Sequence, residues 1–139
     1  MIAFFDSSIH IGLLRNALSW QAVQNAVAPA RIRLSPIVAS ELLRGATGRA
    51  ARTVEDLIAR TDPLEPPSWR RCWIEAGRLL PKIFPRHEQL GIARLQNDCL
   101  LALTARYTGA SFLTADAHFE SIRRHVQFDL RMLPARSAE

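Results

Sequence analysis

Two acidic side chains follow short apolar runs at opposite ends of the chain. Asp6 comes directly after IAFF (2–5), and Asp116 comes shortly after SFLT (111–114). If both runs are parallel strands, their carboxyl ends meet at one edge of a sheet, which is where such sheets bind ligands. Either acid could also simply cap the helix that follows it, so neither one alone predicts a site.

Two further acids lie on apolar faces of predicted helices. In SPIVASELLRG (35–45), Glu41 follows Val38 and Ile37 at spacings of three and four residues, which places all three on one helix face. In RLQNDCLLALTARYTG (94–109), Asp98 begins a stripe that continues with apolar residues at helical spacing. A carboxylate on a buried face is costly unless it is paired, hydrogen-bonded or bound to a metal.

Each of these helix acids has a purely structural alternative. Glu41 could form an ion pair with Arg44 or Arg15, and Asp98 could pair with Arg94 in the first turn of its helix. The four acids together favour a different interpretation, in which they converge in one cleft and share a cation. Mg²⁺ and Mn²⁺ prefer oxygen ligands, and such a site is suited to phosphodiester hydrolysis.

The elements that must position these acids alternate along the chain. Strand-like runs separated by helical patterns predict an α/β domain, with a mainly parallel central sheet of about four or five strands flanked by helices. The predicted strands are 2–5, 31–35, a short piece near Leu64, 111–114 and 126–133, and the predicted helices are about 6–28 (broken near 18–19), 35–45, 48–61, 68–80, 92–108 and 116–124.

The length of 139 residues predicts one domain, over residues 1–133, followed by a flexible tail at 134–139. The segment 79–91, which contains Pro81 and Pro85, is predicted to be a loop or a broken helix. No linker divides the chain.

The positive charge favours a polyanionic partner. The net charge is +5, and among 18 basic residues Lys82 is the only lysine. The arginine fork suits phosphate oxygens, although a codon bias would also favour arginine over lysine. The candidate RNA-backbone contacts are Arg70, Arg71, Arg94, Arg123 and Arg124.

Several other classes of protein are disfavoured. Two cysteines and four histidines without paired ligand spacing give neither a disulfide framework nor a structural zinc site. The chain has no glycine-rich phosphate loop with GK[ST] and no apolar run long enough to cross a membrane. The first apolar run is too short for a signal peptide, so we expect a cytoplasmic protein without membrane contact.

Four segments, in this order and spacing, resemble the acidic motifs of PIN-domain ribonucleases. They are FFDSS, SELLRG, NDCLLALTA and FLTADAHF, and the nearest likeness is to VapC-type toxins of bacterial toxin–antitoxin pairs. The resemblance implies that Asp6, Glu41, Asp98 and Asp116 are the catalytic acids. It implies that Asp6, Asp98 and Asp116 bind the metal and that Glu41 completes the group of acids around it.

The resemblance also covers three neighbouring positions. Thr114 matches a hydroxyl residue two positions before the last acid, and Ser8 matches a small polar position after the first. Both are expected to orient ligands or water. His118 stands where the family often has a fifth acid, so it is expected to contact substrate or water, or to cap the helix.

The implied activity is that of a Mg²⁺- or Mn²⁺-dependent endoribonuclease acting on structured RNA such as tRNA or rRNA. The resemblance further implies a homodimer and inhibition by a cognate antitoxin. The alternative is a catalytically inactive PIN-like module that binds RNA or protein.

Overall fold

The chain forms a four-stranded sheet covered by helices on both faces. The computed structural model describes residues 1–86, 89 and 91–133, so the tail predicted to be flexible lies outside the described residues. The strands are β1 (Ile2–Phe5), β2 (Arg31–Ile32), β3 (Ser111–Thr114) and β4 (Leu130–Met132). The described helices are α1 (Ser7–Leu14), α2 (Trp20–Val27), α3 (Pro36–Gly45), α4 (Arg49–Arg60), α5 (Trp69–Ile83), α6 (Ile92–Thr108) and α7 (His118–Arg123).

All strand pairs are parallel, and the order across the sheet is β2-β1-β3-β4. The two central strands run in register, with Phe4 opposite Phe112 and Phe5 opposite Leu113. Because every strand points the same way, all the carboxyl ends meet at one edge. The predicted α/β class and parallel sheet are therefore confirmed.

Alternate residues of the central strands enter two separate cores. Phe4 and Phe112 pack with the larger core, formed mainly with α3, α5 and α6. Ala3, Phe5 and Leu113 pack with the smaller core under α1 and α2. The strands are buried on both faces, so they appear in the sequence as continuous apolar runs.

The boundaries of α3 follow directly from its sequence. The Ser35 hydroxyl accepts a hydrogen bond from the Ile37 amide at 3.2 Å, and Pro36 occupies the first turn, where a missing N–H costs nothing. The predicted helix at 35–45 is confirmed, as is the break near 18–19, where Ser19 caps the separate helix α2.

The second and last strands are shorter than predicted. Only Arg31–Ile32 of the run 31–35 belongs to β2, and the piece near Leu64 contributes a single bridge between Leu34 and Pro63. Strand β2 ends at Ile32 although its neighbour β1 continues to Phe5, because the Leu34 backbone bonds instead with Asp62 and Leu64. Helix α5 continues through Pro81 to Ile83, whereas residues 87, 88 and 90 of the predicted loop lie outside the described residues.

Candidate metal-dependent active site

The carboxyl ends of β1 and β3 are joined through Thr114, the last residue of β3. Its hydroxyl donates to the Asp6 Oδ2 atom and accepts from the Asp116 backbone N–H at 3.0 Å. One short side chain therefore fixes the spacing of the two strand-end acids, as neighbouring parallel strands allow.

Asp6 is both a helix cap and a buried acid. Its Oδ1 atom accepts from the Ser8 hydroxyl at 2.6 Å and from the Ile9 backbone N–H at 3.2 Å, which caps α1. The residue is 7% exposed. Burial raises the pKa of the Asp6 carboxyl, while the hydrogen bonds from Ser8, Thr114 and Ile9 oppose that rise.

Asp98 lies on α6 and is also 7% exposed, but it lacks the set of hydrogen bonds that the Asp6 carboxylate accepts. Its Oδ2 atom is buried and has no hydrogen-bond partner within the described residues. Burial, followed by the charge of Asp116, raises the pKa of Asp98 to about 8, and nearby Arg94 opposes the rise. A buried carboxylate oxygen without a partner is costly, so this atom marks a place for a ligand.

Asp116 and His118 complete a compact group with Asp98. One ligand atom from each of these three residues lies within 4.8 Å of the other two. The Asp116 Oδ1 atom accepts from the His118 backbone N–H at 2.9 Å, and its Oδ2 atom accepts from Arg94 at 3.0 Å. The His118 Nδ1 atom is buried without a hydrogen-bond partner in the part of the chain that the structure describes.

Glu41 approaches the same site from α3. Burial raises the pKa of Glu41, and a hydrogen bond from the Asn97 side chain and the charge of Arg44 oppose the rise. Asp6 and Arg94 also act electrostatically on this carboxyl group. The structure therefore brings all four sequence-predicted acids into one electrostatically coupled cluster, from two strand ends and two helices.

Two contacts of this cluster could not be identified from the sequence. Asn97 stands beside Asp98 in the motif NDCLL, but its bond to Glu41 links two separate helices. Arg94 was considered as a partner of Asp98 and as an RNA contact, and its direct ion pair is with Asp116, 22 residues away. Only the packing of α6 against the other elements reveals these partners.

The remaining predicted RNA contacts lie on the surface. Arg71 donates to Glu75 at 3.0 Å, one helical turn away on α5. Arg70, Arg123 and Arg124 are exposed. Their contact with RNA stays a prediction.

The donor set fits a divalent cation. Carboxylate oxygens dominate it, as Mg²⁺ requires, and the imidazole nitrogen of His118 is a ligand that Mn²⁺ also accepts. Asp98 and His118, which carry the unpartnered oxygen and the unpartnered nitrogen, belong to the same group of three residues. The Asp6 oxygens instead hold protein hydrogen bonds, so Asp6 as a direct ligand stays a prediction.

Known families and structures agree with this architecture. The family model of the PIN domain matches residues 3–125. No curated protein sequence matches the chain.

No helix in the described part of the chain has the length and apolar character needed to span a membrane.

Three solved structures share the fold. VapBC-1 from nontypeable Haemophilus influenzae is 22% identical with a TM-score of 0.66, over 95% of this chain and 98% of that chain. VapBC2 from Rickettsia felis, bound to a DNA fragment from their promoter, is 18% identical with a TM-score of 0.62, over 96% and 99%. FitAcB from Neisseria gonorrhoeae is 17% identical with a TM-score of 0.52, over 94% and 96%.

Proposed function

The chain belongs to the PIN-domain family, and from that premise we propose that it is an endoribonuclease toxin of the VapC type. It hydrolyses RNA phosphodiester bonds with Mg²⁺ or Mn²⁺ held at the acid cluster. The observation that carries this proposal is the buried, unpartnered Oδ2 atom of Asp98, a residue with a ligand atom within 4.8 Å of ligand atoms of Asp116 and His118. A buried, unpartnered carboxylate among other acids lowers the stability of the fold, and a bound cation offsets that cost.

The residues of the site have distinct tasks. Asp98 and Asp116 would hold the cation, and Asp6 and Glu41 would add negative charge to the site. Thr114 and Ser8 fix the orientation of the Asp6 carboxylate through their hydroxyl groups. Arg94 orients Asp116, and its side chain, which is 65% exposed, presents the guanidinium group at the mouth of the site.

The chemistry is hydrolysis, in which water enters in line with the leaving oxygen and no bond forms to the protein. When bound, a divalent cation neutralises the charge that develops on the phosphoryl oxygens and makes water a better nucleophile at neutral pH. The likeness to VapC-type enzymes implies products with 5′-phosphate and 3′-hydroxyl ends.

The similarity to VapC-type toxins also supports our proposals for the binding partners of the chain. We infer a cognate antitoxin as the inhibitor, because the similar structures are VapBC and FitAcB assemblies by name. We also infer a homodimer, a structured RNA such as tRNA or rRNA as substrate, and action in the cytoplasm. The net charge of +5 is consistent with an RNA substrate.

RNA cleavage by purified protein tests the proposal. We expect cleavage with Mg²⁺ or Mn²⁺, none with EDTA, and a loss of at least about 100-fold in the Asp6→Asn, Asp98→Asn double variant. The matched control is Asp56→Asn, Asp62→Asn, which removes two exposed acids outside the cluster and leaves cleavage intact. Undiminished cleavage by the first double variant would contradict the assignment.

The inactive-module alternative makes a different prediction. A protein that only binds RNA would show affinity without any metal-dependent new RNA ends. Induction of an active toxin without its antitoxin should also arrest growth. Growth at the normal rate with demonstrable nuclease activity would argue against the toxin role but not against the ribonuclease activity.

A further inference from the structure

A second concave site of about 410 Å³ lies between α5, the end of α6 and the segment that joins α7 to β4. Its lining includes four basic side chains from three elements, which are Arg78, Lys82, Arg106 and His125. We refer to this site as the basic cleft. None of these four residues is among the RNA contacts predicted from the sequence.

The positions of these side chains follow from the packing of the elements. Arg78 and Lys82 are four residues apart on α5, so they share one face of that helix. Arg106 comes from the last turn of α6, and His125 follows α7. All four are exposed, and Arg78 and Lys82 have no ion-pair partner within the described residues.

Among the residues that the structure describes, Glu75 is the one acid that lines the basic cleft, and it already has partners. Both carboxylate oxygens of Glu75 accept the Tyr107 hydroxyl, at 2.6 and 2.7 Å, and one of them also accepts from Arg71 at 3.0 Å. The Arg71 guanidinium in turn lies 4.5 Å from the centre of the Tyr107 ring. Arg71 thus balances Glu75. Arg106 donates to the Gln127 backbone carbonyl at 3.3 Å, so Arg78 and Lys82 are the cleft cations that an anion can pair with most readily.

The basic cleft is separate from the acid cluster but shares a helix with it. Asp98 and Arg106 are eight residues apart on α6, which corresponds to about 12 Å along the helix axis. At about 3.4 Å per nucleotide along a stacked strand, that distance spans at least three nucleotides. A single nucleotide at the acid cluster therefore does not reach the cleft, and an RNA that occupies both sites must be longer than about three nucleotides.

We propose that the basic cleft binds the phosphodiester backbone of the RNA substrate, at least about three nucleotides from the bond that is cleaved. This inference rests on the proposed ribonuclease function for the identity of the ligand. The cleft binds RNA irrespective of its base sequence, since its basic side chains contact the backbone phosphates. It holds a long RNA in place while the acid cluster acts on one bond.

Binding of a single-stranded RNA of about 20 nucleotides to the whole protein in EDTA tests this inference separately from cleavage. We expect the double variant Arg78→Gln, Lys82→Gln to raise the Kd by about tenfold or more. The slope of log Kd against log salt concentration should fall by about 1 to 1.5, since each neutralised phosphate contributes about 0.7. The charge-conserving variant Arg78→Lys, Lys82→Arg should keep the wild-type slope.

The control is Arg52→Gln, Arg60→Gln, which removes the same charge from the exposed surface of α4. If it weakens binding as much as the cleft variant does, net charge and not the cleft is responsible, and the inference is wrong. Wild-type affinity and slope in the cleft variant would also overturn it. If the cleft variant behaves as expected but the protein cleaves no RNA, the proposed enzymatic function fails while the binding site stands.

Discussion

At the scale of single residues, Asp98 and Asp129 show that the same side chain can have opposite energetics in one chain. Asp98 is buried among other acids, which raises its pKa to about 8. Asp129 accepts hydrogen bonds from Arg131 and Ser111, and the bond from Arg131 is the main reason that its pKa is lowered. The first arrangement costs stability and suits a ligand site, whereas the second contributes stability.

Matched substitutions should reveal this difference. We expect Asp98→Asn to stabilise the metal-free protein at pH 8 by more than about 1 kcal/mol, because it removes a buried charge, while abolishing cleavage. Asp129→Asn should destabilise the protein, because it weakens the bonds with Arg131 and Ser111. Urea unfolding in EDTA measures both effects. A destabilised Asp98→Asn variant would show that the carboxylate already has a stabilising partner.

At the scale of elements, α6 carries Asp98 into the core, and its burial and its C-terminal cap fix its position. Every residue from Asp98 to Ala105 is buried, and the Thr104 hydroxyl bonds back to the Leu100 carbonyl at 2.8 Å. The helix ends at Gly109, whose φ of +74° places it in the left-handed region. This cap lets the chain turn directly into β3, which leads to Thr114.

Two glycines should respond in opposite ways to the same substitution. Gly109→Ala is expected to destabilise the protein by about 1 kcal/mol, because alanine resists the left-handed conformation. Gly77→Ala, on the exposed side of α5, should instead stabilise it by about 0.5–1 kcal/mol. An added Cβ would have no neighbouring atom within 4 Å at either position, so the two substitutions differ only in the backbone conformation that alanine must adopt. Thermal unfolding of both variants is the measurement, and equal shifts would contradict this account of the cap.

At the scale of the whole molecule, the smaller core contains a polar residue that the proposed mechanism does not use. His10 is 5% exposed, and its Nε2 atom has no hydrogen-bond partner in the described part of the chain. Its ring packs against Phe5, with 5.2 Å between ring centres. Burial lowers the pKa of His10 from 6.5 to about 4, so the folded protein holds a neutral imidazole there.

This histidine should make folding stability sensitive to acid. In the unfolded chain His10 is protonated below about pH 6.5, whereas in the folded chain it stays neutral down to about pH 4. The free energy of unfolding therefore decreases as the pH is lowered from 6.5 to 4. The loss amounts to about 3 kcal/mol at most. The difference in free energy of unfolding between wild type and His10→Phe, measured from pH 7 to 4, isolates it from the acids. A difference independent of pH would contradict the prediction.

The sequence by itself predicted the α/β class, the helix over 35–45 and the four candidate acids, because these depend on local patterns. Apolar runs, helical spacing and residues such as Ser35 and Pro36 act over a few positions. Strand lengths were less predictable, since β2 ends at Ile32 because the Leu34 backbone bonds with the distant residues Asp62 and Leu64.

Only the tertiary structure decided the partners of those acids and the position of the basic cleft. Arg94 bonds with Asp116, Asn97 bonds with Glu41, and Arg78 and Arg106 line one cleft because separate elements pack against one another. Such contacts join residues far apart in the chain, and side-chain packing between the elements sets them. Local periodicity predicts which face of a helix is buried, but not which neighbour it meets.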